Sequence, residues 1–281
     1  MRRLALLPVY LALGFFAIVT LIPLVWMATS AVKDQNDFFT SFFLPRGDGF
    51  LGIAWSRITL MNFTRLFREY PIGRALFNSF FFASVSSAGA TLACAMGGYA
   101  LSKYRFRARR ALTTLVLGAL IIPGPLLIAP SYQLLWQLGL LNSYSGLLLP
   151  ALAPAFGVFL FRQSMLNAVP AELLESARID GAGEYRIFFT IVVPLVRPMI
   201  GAFLLITFLG AWNNFISPQI VLQSPQAFPL SVTINNLRGL YGTDYGLIMS
   251  GTLVSIAPVM CLFLLLQKEF IAGLTSGAVK G

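Results

Sequence analysis

The sequence predicts an all-α membrane protein with six transmembrane helices and both termini on the cytoplasmic side, and two observations carry that prediction. The first is composition. Of 281 residues, 57% are hydrophobic and 11% charged, with a mean hydropathy of +0.79, an apolar excess outside the balance of a soluble domain. Several apolar runs reach the roughly 20 residues needed to cross about 30 Å of hydrocarbon. The second is charge placement: Lys and Arg sit in short segments beside those runs, so the net charge of +10 reads as orientation in a bilayer rather than as a nucleic-acid footprint, which would need a basic groove interleaved with aromatics.

Six runs qualify in order. Leu4 to Thr29 follows Met1-Arg2-Arg3 and, at about 25 residues, exceeds the roughly 7 to 15 of a signal-peptide core, so it is expected to be a retained first span. Ala75 to Leu101, Ala111 to Pro130, Ser145 to Phe161, Met199 to Phe215 and Tyr245 to Leu266 complete the set. This divides the chain into 1–74, a span with a long external loop, and 75–281, a five-helix core with a polar hairpin at 170–198 and a tail at 268–281. Arg2, Arg3, Lys103, Arg105, Arg107, Arg109, Arg110, Arg162, Arg178, Arg186, Arg197, Lys268 and Lys280 fall on one side, 13 cations against 7 on the other. The positive-inside rule puts the 13 in the cytoplasm.

The loops and the polar residues of the spans sharpen this outline. Asn36 to Trp55, rich in Phe and Gly, is expected to be irregular, and Asn62 to Glu69 has the spacing of an interfacial helix. Pro123, Pro125 and Pro130 predict a bend in the third span, either a fixed kink or a gate. Ser84, Ser86, Ser87 and Thr91 serve close helix packing or line a path; Trp212, Asn213 and Asn214 near the end of span five are candidate cavity residues. No Asp, Glu, Lys or Arg falls in the core of a span, which argues against a proton relay or an ion-coupled carrier without excluding sodium coupling through carbonyls.

Several chemistries are excluded outright. With no histidine, there is no His-based acid–base catalysis, no Ser-His or Cys-His dyad and no His-ligated metal. Cys94 and Cys261 both lie in apolar runs without a third ligand, so they are expected to be buried small hydrophobes, and no metal site is expected.

The exception to the oily pattern is Glu172 to Pro198, ELLESARIDGAGEYRIFFTIVVPLVRP. Pro170 suits a helix N1 position, and Glu172 and Glu175 favour the positive end of the helix dipole. Leu173, Leu174 and Ala177 form an apolar face, Glu175 and Arg178 have i,i+3 spacing, and Gly181 supplies a left-handed stop. A second short helix begins at Glu184, presents Ile187, Phe188 and Ile191, and is expected to end at Pro194 and Pro198. Such a hairpin fits either a lipid headgroup layer or a protein groove; its acidic first turn favours the groove.

At these residues the chain resembles the permease subunits of binding-protein-dependent ABC importers. Their shared signature reads E-A-A, three residues, G, nine residues, then I-x-L-P. Here it is Glu175-Ser176-Ala177, Gly181 and Ile191-Val192-Val193-Pro194, with Ser176 and Val193 as departures. ESARIDGA, Asn78-Ser79, Gly98-Tyr99-Ala100, Ala211-Trp212-Asn213, Gln267-Lys-Glu-Phe270 and the closing Gly277-Ala-Val-Lys-Gly281 look like the maltose-type "G" permeases of carbohydrate importers.

The resemblance implies a type I importer permease fold in a bacterial or archaeal cytoplasmic membrane. It also implies a second homologous permease subunit, two P-loop ATPase subunits beneath, and an external solute-binding protein. It makes Glu172, Glu175, Ser176, Ala177, Asp180, Gly181 and Ala182 candidates for coupling to the ATPase. Gly277, Ala278, Val279 and Lys280 would lie at the same interface, and Gln223, Ser224, Pro225 and Gln226 would contact the binding protein. Every lysine, Lys33, Lys103, Lys268 and Lys280, lacks a preceding glycine, so the chain has no G-x-x-x-x-G-K-[ST] and is expected to be no enzyme; ATP and Mg would be bound by the partners. The expected activity is ATP-driven import of a sugar or oligosaccharide by alternating access. An ion-coupled carrier or channel, a non-transporting scaffold, and a permease for a glycerol phosphate-like solute are the alternatives.

Overall fold

A computed structural model describes residues 6–238 and 243–278, with side chains to 265 and at Gln267. Its principal helices are α1 (Leu7–Ala31), α2 (Met61–Glu69), α3 (Ile72–Lys103), α4 (Arg109–Ala119), α5 (Ile128–Gln137), α6 (Ala155–Ala168), α7 (Ala171–Ile179), α8 (Glu184–Ile187), α9 (Val193–Leu195), α10 (Arg197–Trp212) and α11 (Tyr245–Ala278). Four stretches are long and apolar enough to cross a bilayer: Leu7–Ala31, Ile72–Lys103, Tyr144–Ala168 and Tyr245–Leu265. Two bent pairs raise the number to six if each counts as one span: Arg109–Ala119 with Gly124–Gln137, bent by 103°, and Glu184–Leu195 with Arg197–Trp212, bent by 83°.

The third expected run, Ala111 to Pro130, is therefore a broken segment. Leu120 to Pro123 leave the helix, and Pro125 sits in the first positions of a short 3₁₀ turn, Gly124–Leu127, before α5. Two prolines two positions apart, Pro123 and Pro125, remove donors that a continuous helix would need. The last run is longer than expected: α11 continues past Leu266 to Ala278. Arg2, Arg3, Val279, Lys280 and Gly281 lie outside the described residues, as does the side chain of Lys268.

The chain divides into two compact units, 1–74 with 233–258, and 75–232 with 259–281. In the first, a short helix, Gln35–Thr40, follows α1 and is capped by the Asp34 carboxylate, which accepts from the Asp37 amide. The irregular segment expected over Asn36 to Trp55 thus begins helical and becomes irregular after Thr40. Lys33 is fully buried, its Nζ donating to the carbonyls of Ser41 (2.8 Å) and Phe42 (3.2 Å). Burial lowers its pKa, and the Asp37 charge opposes that shift. Asp37, itself buried, pairs with Arg57. Asn62 on α2 donates to the carbonyls of Ala31 and Lys33, and Arg65 reaches Asp244 at 2.6 Å.

The second unit holds a core of Cys94, Ala95, Tyr99, Phe161, Met165, Leu174, Ile187, Phe188, Val192, Val196 and Phe203. Close approach sets its packing. A Cβ on Gly98 of α3 would lie 2.6 Å from the Arg162 backbone nitrogen of α6. Cys94 is buried as expected, whereas Cys261 is exposed.

Candidate functional site

The polar hairpin forms part of that core. α7 begins after Pro170, which occupies the N-cap rather than N1; the offset is one residue, and the proline still spends no amide donor. The helix ends in a Schellman motif. The Gly181 amide donates to Arg178 O (3.0 Å), the Ala182 amide to Ala177 O (3.0 Å), and Gly181 has φ +79°. That left-handed step turns the chain into α8, as its glycine predicts.

α8 opens a continuous helical stretch through a π-turn, Phe188–Val192, into α9. The expectation that Pro194 ends this helix is corrected. A proline ring strikes the carbonyl four residues back in a regular helix; the wider turn just before Pro194 displaces that carbonyl and lets the proline pass. The break comes instead at Val196 (φ −105°, ψ 14°), and Pro198 sits in the first turn of α10, where its missing donor is not needed.

The hairpin's two faces differ in kind. Leu174, Ile187, Phe188 and Val192 are buried in the core. Glu172, Glu175, Ser176, Asp180 and Gly181 are exposed, Ala177 and Ala182 are half-buried, and Ile179 is 86% exposed. Leu173, expected on the apolar inner face, is exposed. Of the coupling candidates, Glu172, Glu175, Ser176, Asp180 and Gly181 thus lie on the exposed side of the hairpin, whereas Ala177 and Ala182 pack against the core.

Arg178 does not pair with Glu175. Its Nε donates to Glu184 Oε1 at 2.7 Å and its second nitrogen to Oε2 at 3.4 Å. Tyr104 Oη donates to the same Oε2 at 2.5 Å, and Tyr99 Oη at 3.4 Å. Glu184 is therefore a hub of four donated hydrogen bonds from α3, from the residue just beyond it, and from α7. The Arg178 guanidinium, then the Tyr104 hydroxyl, hold its carboxyl below the usual range. Burial and the bond to that carboxylate push the Tyr104 phenol above its own. Lys103 Nζ adds a bond to Val169 O at the end of α6. Sequence reading missed this hub; Glu184 appeared only as the start of the second helix, and the available signal was a Tyr99/Tyr104 pair at a helix end.

The remaining candidates separate. A cavity of about 520 Å³ in the second unit is lined by residues including Phe82, Ser86, Ser131, Tyr132, Thr207 and Asn214. Asn214 therefore lines it, while Trp212 is buried in a stack with Phe208 (5.9 Å, 17°) and Asn213 is exposed, donating to Leu209 O. Ser86 belongs to the lining, whereas Ser87 is buried and bonds back to Ser84 O. Gln223, Pro225 and Gln226 are exposed and Ser224 half-buried. Asn142 Oδ1 accepts from the amides of Gln223 and Ser224. Asn78 Nδ2 donates to Gln226 O and Phe228 O, and Ser79 Oγ accepts from Leu230 N. The Asn78-Ser79 pair thus clamps the 226–230 segment to α3. Gly277 and Ala278 close α11; Val279 and Lys280 lie outside the described residues.

The described residues thus combine four membrane-length helical stretches, two bent helix pairs and a polar hairpin packed into a core. Residues 89–268 match the family described as binding-protein-dependent transport system inner membrane component. The chain is 37% identical over 269 residues to the arabinooligosaccharides transport system permease protein AraQ of Halalkalibacterium halodurans, covering 95% of this chain and 94% of that one. It is 32% identical over 279 residues to the lactose transport system permease protein LacG of Rhizobium radiobacter, covering 99% and 98%. A crystal structure of a bacterial ABC transporter involved in import of the acidic polysaccharide alginate shares the fold, with TM-score 0.81 at 21% identity over 95% of this chain and 97% of that one. The protein belongs to the binding-protein-dependent transport system inner membrane component family.

Proposed function

We propose that this chain is a permease subunit of an ATP-driven importer of a neutral sugar or oligosaccharide. It would pair with a second permease in the cytoplasmic membrane, above two P-loop ATPase subunits that bind ATP and Mg, and receive solute from an external binding protein. Six spans with both termini inside then put the hairpin in the cytoplasm. The observation that carries the reading is the hairpin's division of labour. Leu174, Ile187 and Phe188 are buried among the transmembrane helices, while Glu172, Glu175, Asp180 and Ile179 stand outward for a partner. A two-faced element of that kind converts closure of a partner into helix movement. Gly277 to Lys280 would reach the same partner, and Gln223 to Gln226 would meet the binding protein.

The sugar class is supported by the named substrates of the relatives and by the cavity. Hydroxyl and amide groups from Ser86, Ser131, Tyr132 and Asn214 alternate there with apolar carbon. Among the described residues no Lys or Arg lines it, which favours a neutral sugar over a glycerol phosphate. The test is uptake into proteoliposomes by the copurified complex. Glu175→Lys is expected to lower ATP-dependent uptake at least about tenfold, the cost of inverting an interfacial charge, with membrane insertion unchanged. Uptake without ATP or any ATPase subunit would sink this reading in favour of an ion-coupled carrier.

A further inference from the structure

We infer that Glu184 is a positioning residue that ties the coupling hairpin to α3, so that hairpin movement reaches a helix with which it shares no chain connection. The inference rests on the coupling role proposed above. α6 precedes the hairpin directly and α10 follows it directly, so both move with it through the main chain. α3 ends at Lys103, and the hairpin reaches it only through non-covalent contacts. Of these, four hydrogen bonds converge on one carboxylate, while Lys103 at the end of α3 bonds Val169 O and stands in the field of Glu172. Tyr104 and Tyr99 lie 80 and 85 positions earlier in the chain than Glu184, and Arg178 brings in α7. The Arg178 guanidinium also stands 5.9 Å from the Tyr104 ring centroid, closing a triangle of Arg, Tyr and Glu. The Tyr99 and Phe188 rings meet at 5.5 Å, tilted by 42°.

The chemistry suits transmission. A carboxylate that accepts directional bonds from a guanidinium fork and a phenol holds its partners at fixed angles as well as fixed distances. α3 carries Phe82 and Ser86 on the cavity wall, so a tie at its end is a tie to the solute path.

The experiment compares Glu184→Gln, Tyr104→Phe and the double variant in the reconstituted complex, measuring binding-protein-stimulated ATP hydrolysis and solute uptake in the same vesicles. The expected result is stimulated hydrolysis within about twofold of the unaltered complex and uptake lowered about five- to tenfold, matching loss of a hydrogen bond at a partly exposed site. ATP consumed per solute then rises by the same factor, and the double variant is no worse than Glu184→Gln alone. Tyr104→Phe keeps its ring and the core intact, so it carries the test if Glu184→Gln assembles poorly. An unchanged ATP-to-solute ratio in both single variants overturns the inference while the unaltered complex still transports. So does a proportional fall of hydrolysis and uptake, which marks a mere brace. If the unaltered complex takes up no solute with ATP, the proposed function falls and this inference with it.

Discussion

The bend after Ala119 and the bend at Val196 both stand beside prolines, yet their surroundings are opposite. Around the first, Ile121 and Leu126 are 81% and 68% exposed, and Pro123 and Pro125 stand at the turn. Around the second, Val192 and Val196 are buried, Ile187 and Phe188 fill the core, and a carboxylate hub anchors the preceding helix. Proline supplies a bend in either setting. What differs is whether neighbours determine its angle. The loose bend has few neighbours to hold its angle, whereas the packed one is held by the side chains around it, because close-packed interiors resist deformation.

Matched substitutions break this comparison most sharply. Ile187→Ala, at full burial, is expected to cost about 2–4 kcal/mol, and Ile121→Ala less than about 0.5 kcal/mol. The measurement is thermal unfolding in detergent, followed by labelling of buried Cys94 in a Cys261→Ser background. Similar shifts from both would mean the two bends are equally supported. A smaller pair separates backbone contacts. Gly98→Ala sets a methyl against the Arg162 backbone and is expected to cost about 1–3 kcal/mol, while Gly124→Ala, with nothing within 4 Å of its Cβ, stays within about 0.5 kcal/mol. An inert Gly98→Ala in the same assay would refute the close approach of α3 to α6.

What could be read from the sequence follows the range of the interactions. The Schellman stop at Gly181, the helix α2 and the long stretches of α3 and α10 depend on residues a few positions apart, so spacing revealed them. The 103° bend was legible as a bend and not as an angle, since prolines delete hydrogen bonds without choosing a direction. Pro194 misled because its effect depends on the turn before it, and a π-turn leaves no mark in apolar spacing. Arg178 shows the competition directly. Its helical partner Glu175 offers about 0.5 kcal/mol or less at i,i+3, and Glu184 offers a forked bond in a site already holding Tyr104. The second partner wins through the fold, and its tyrosines stand some 80 positions away in sequence. The same limit applied to Asn78, whose acceptors Gln226 and Phe228 are about 150 positions on.

The hub also gives the packed bend a pH signature that the loose one lacks. Glu184 titrates lower in the fold than when unfolded, so its contribution is complete above the ordinary carboxylate value of about 4.3 and is lost as pH falls through the folded value. Tyr104 titrates higher, so its contribution is complete below the ordinary phenol value of about 10 and is lost as pH rises through the folded value. Between about pH 5 and pH 9 the network is whole. The Glu184→Gln variant should therefore unfold earlier than the unaltered chain by a constant margin across that plateau, and the margin should shrink below about pH 4 as the native carboxylate is protonated. With the Arg178 and Glu184 side chains 36% and 42% exposed, the margin is expected to be at most about 1 kcal/mol. Differential melts at pH 3.5 and pH 7 would check this, both values being chosen to straddle the carboxylate range of about 4. A margin equal at the two pH values would mean that the Glu184 charge contributes nothing and that the packed bend is held by its apolar face alone.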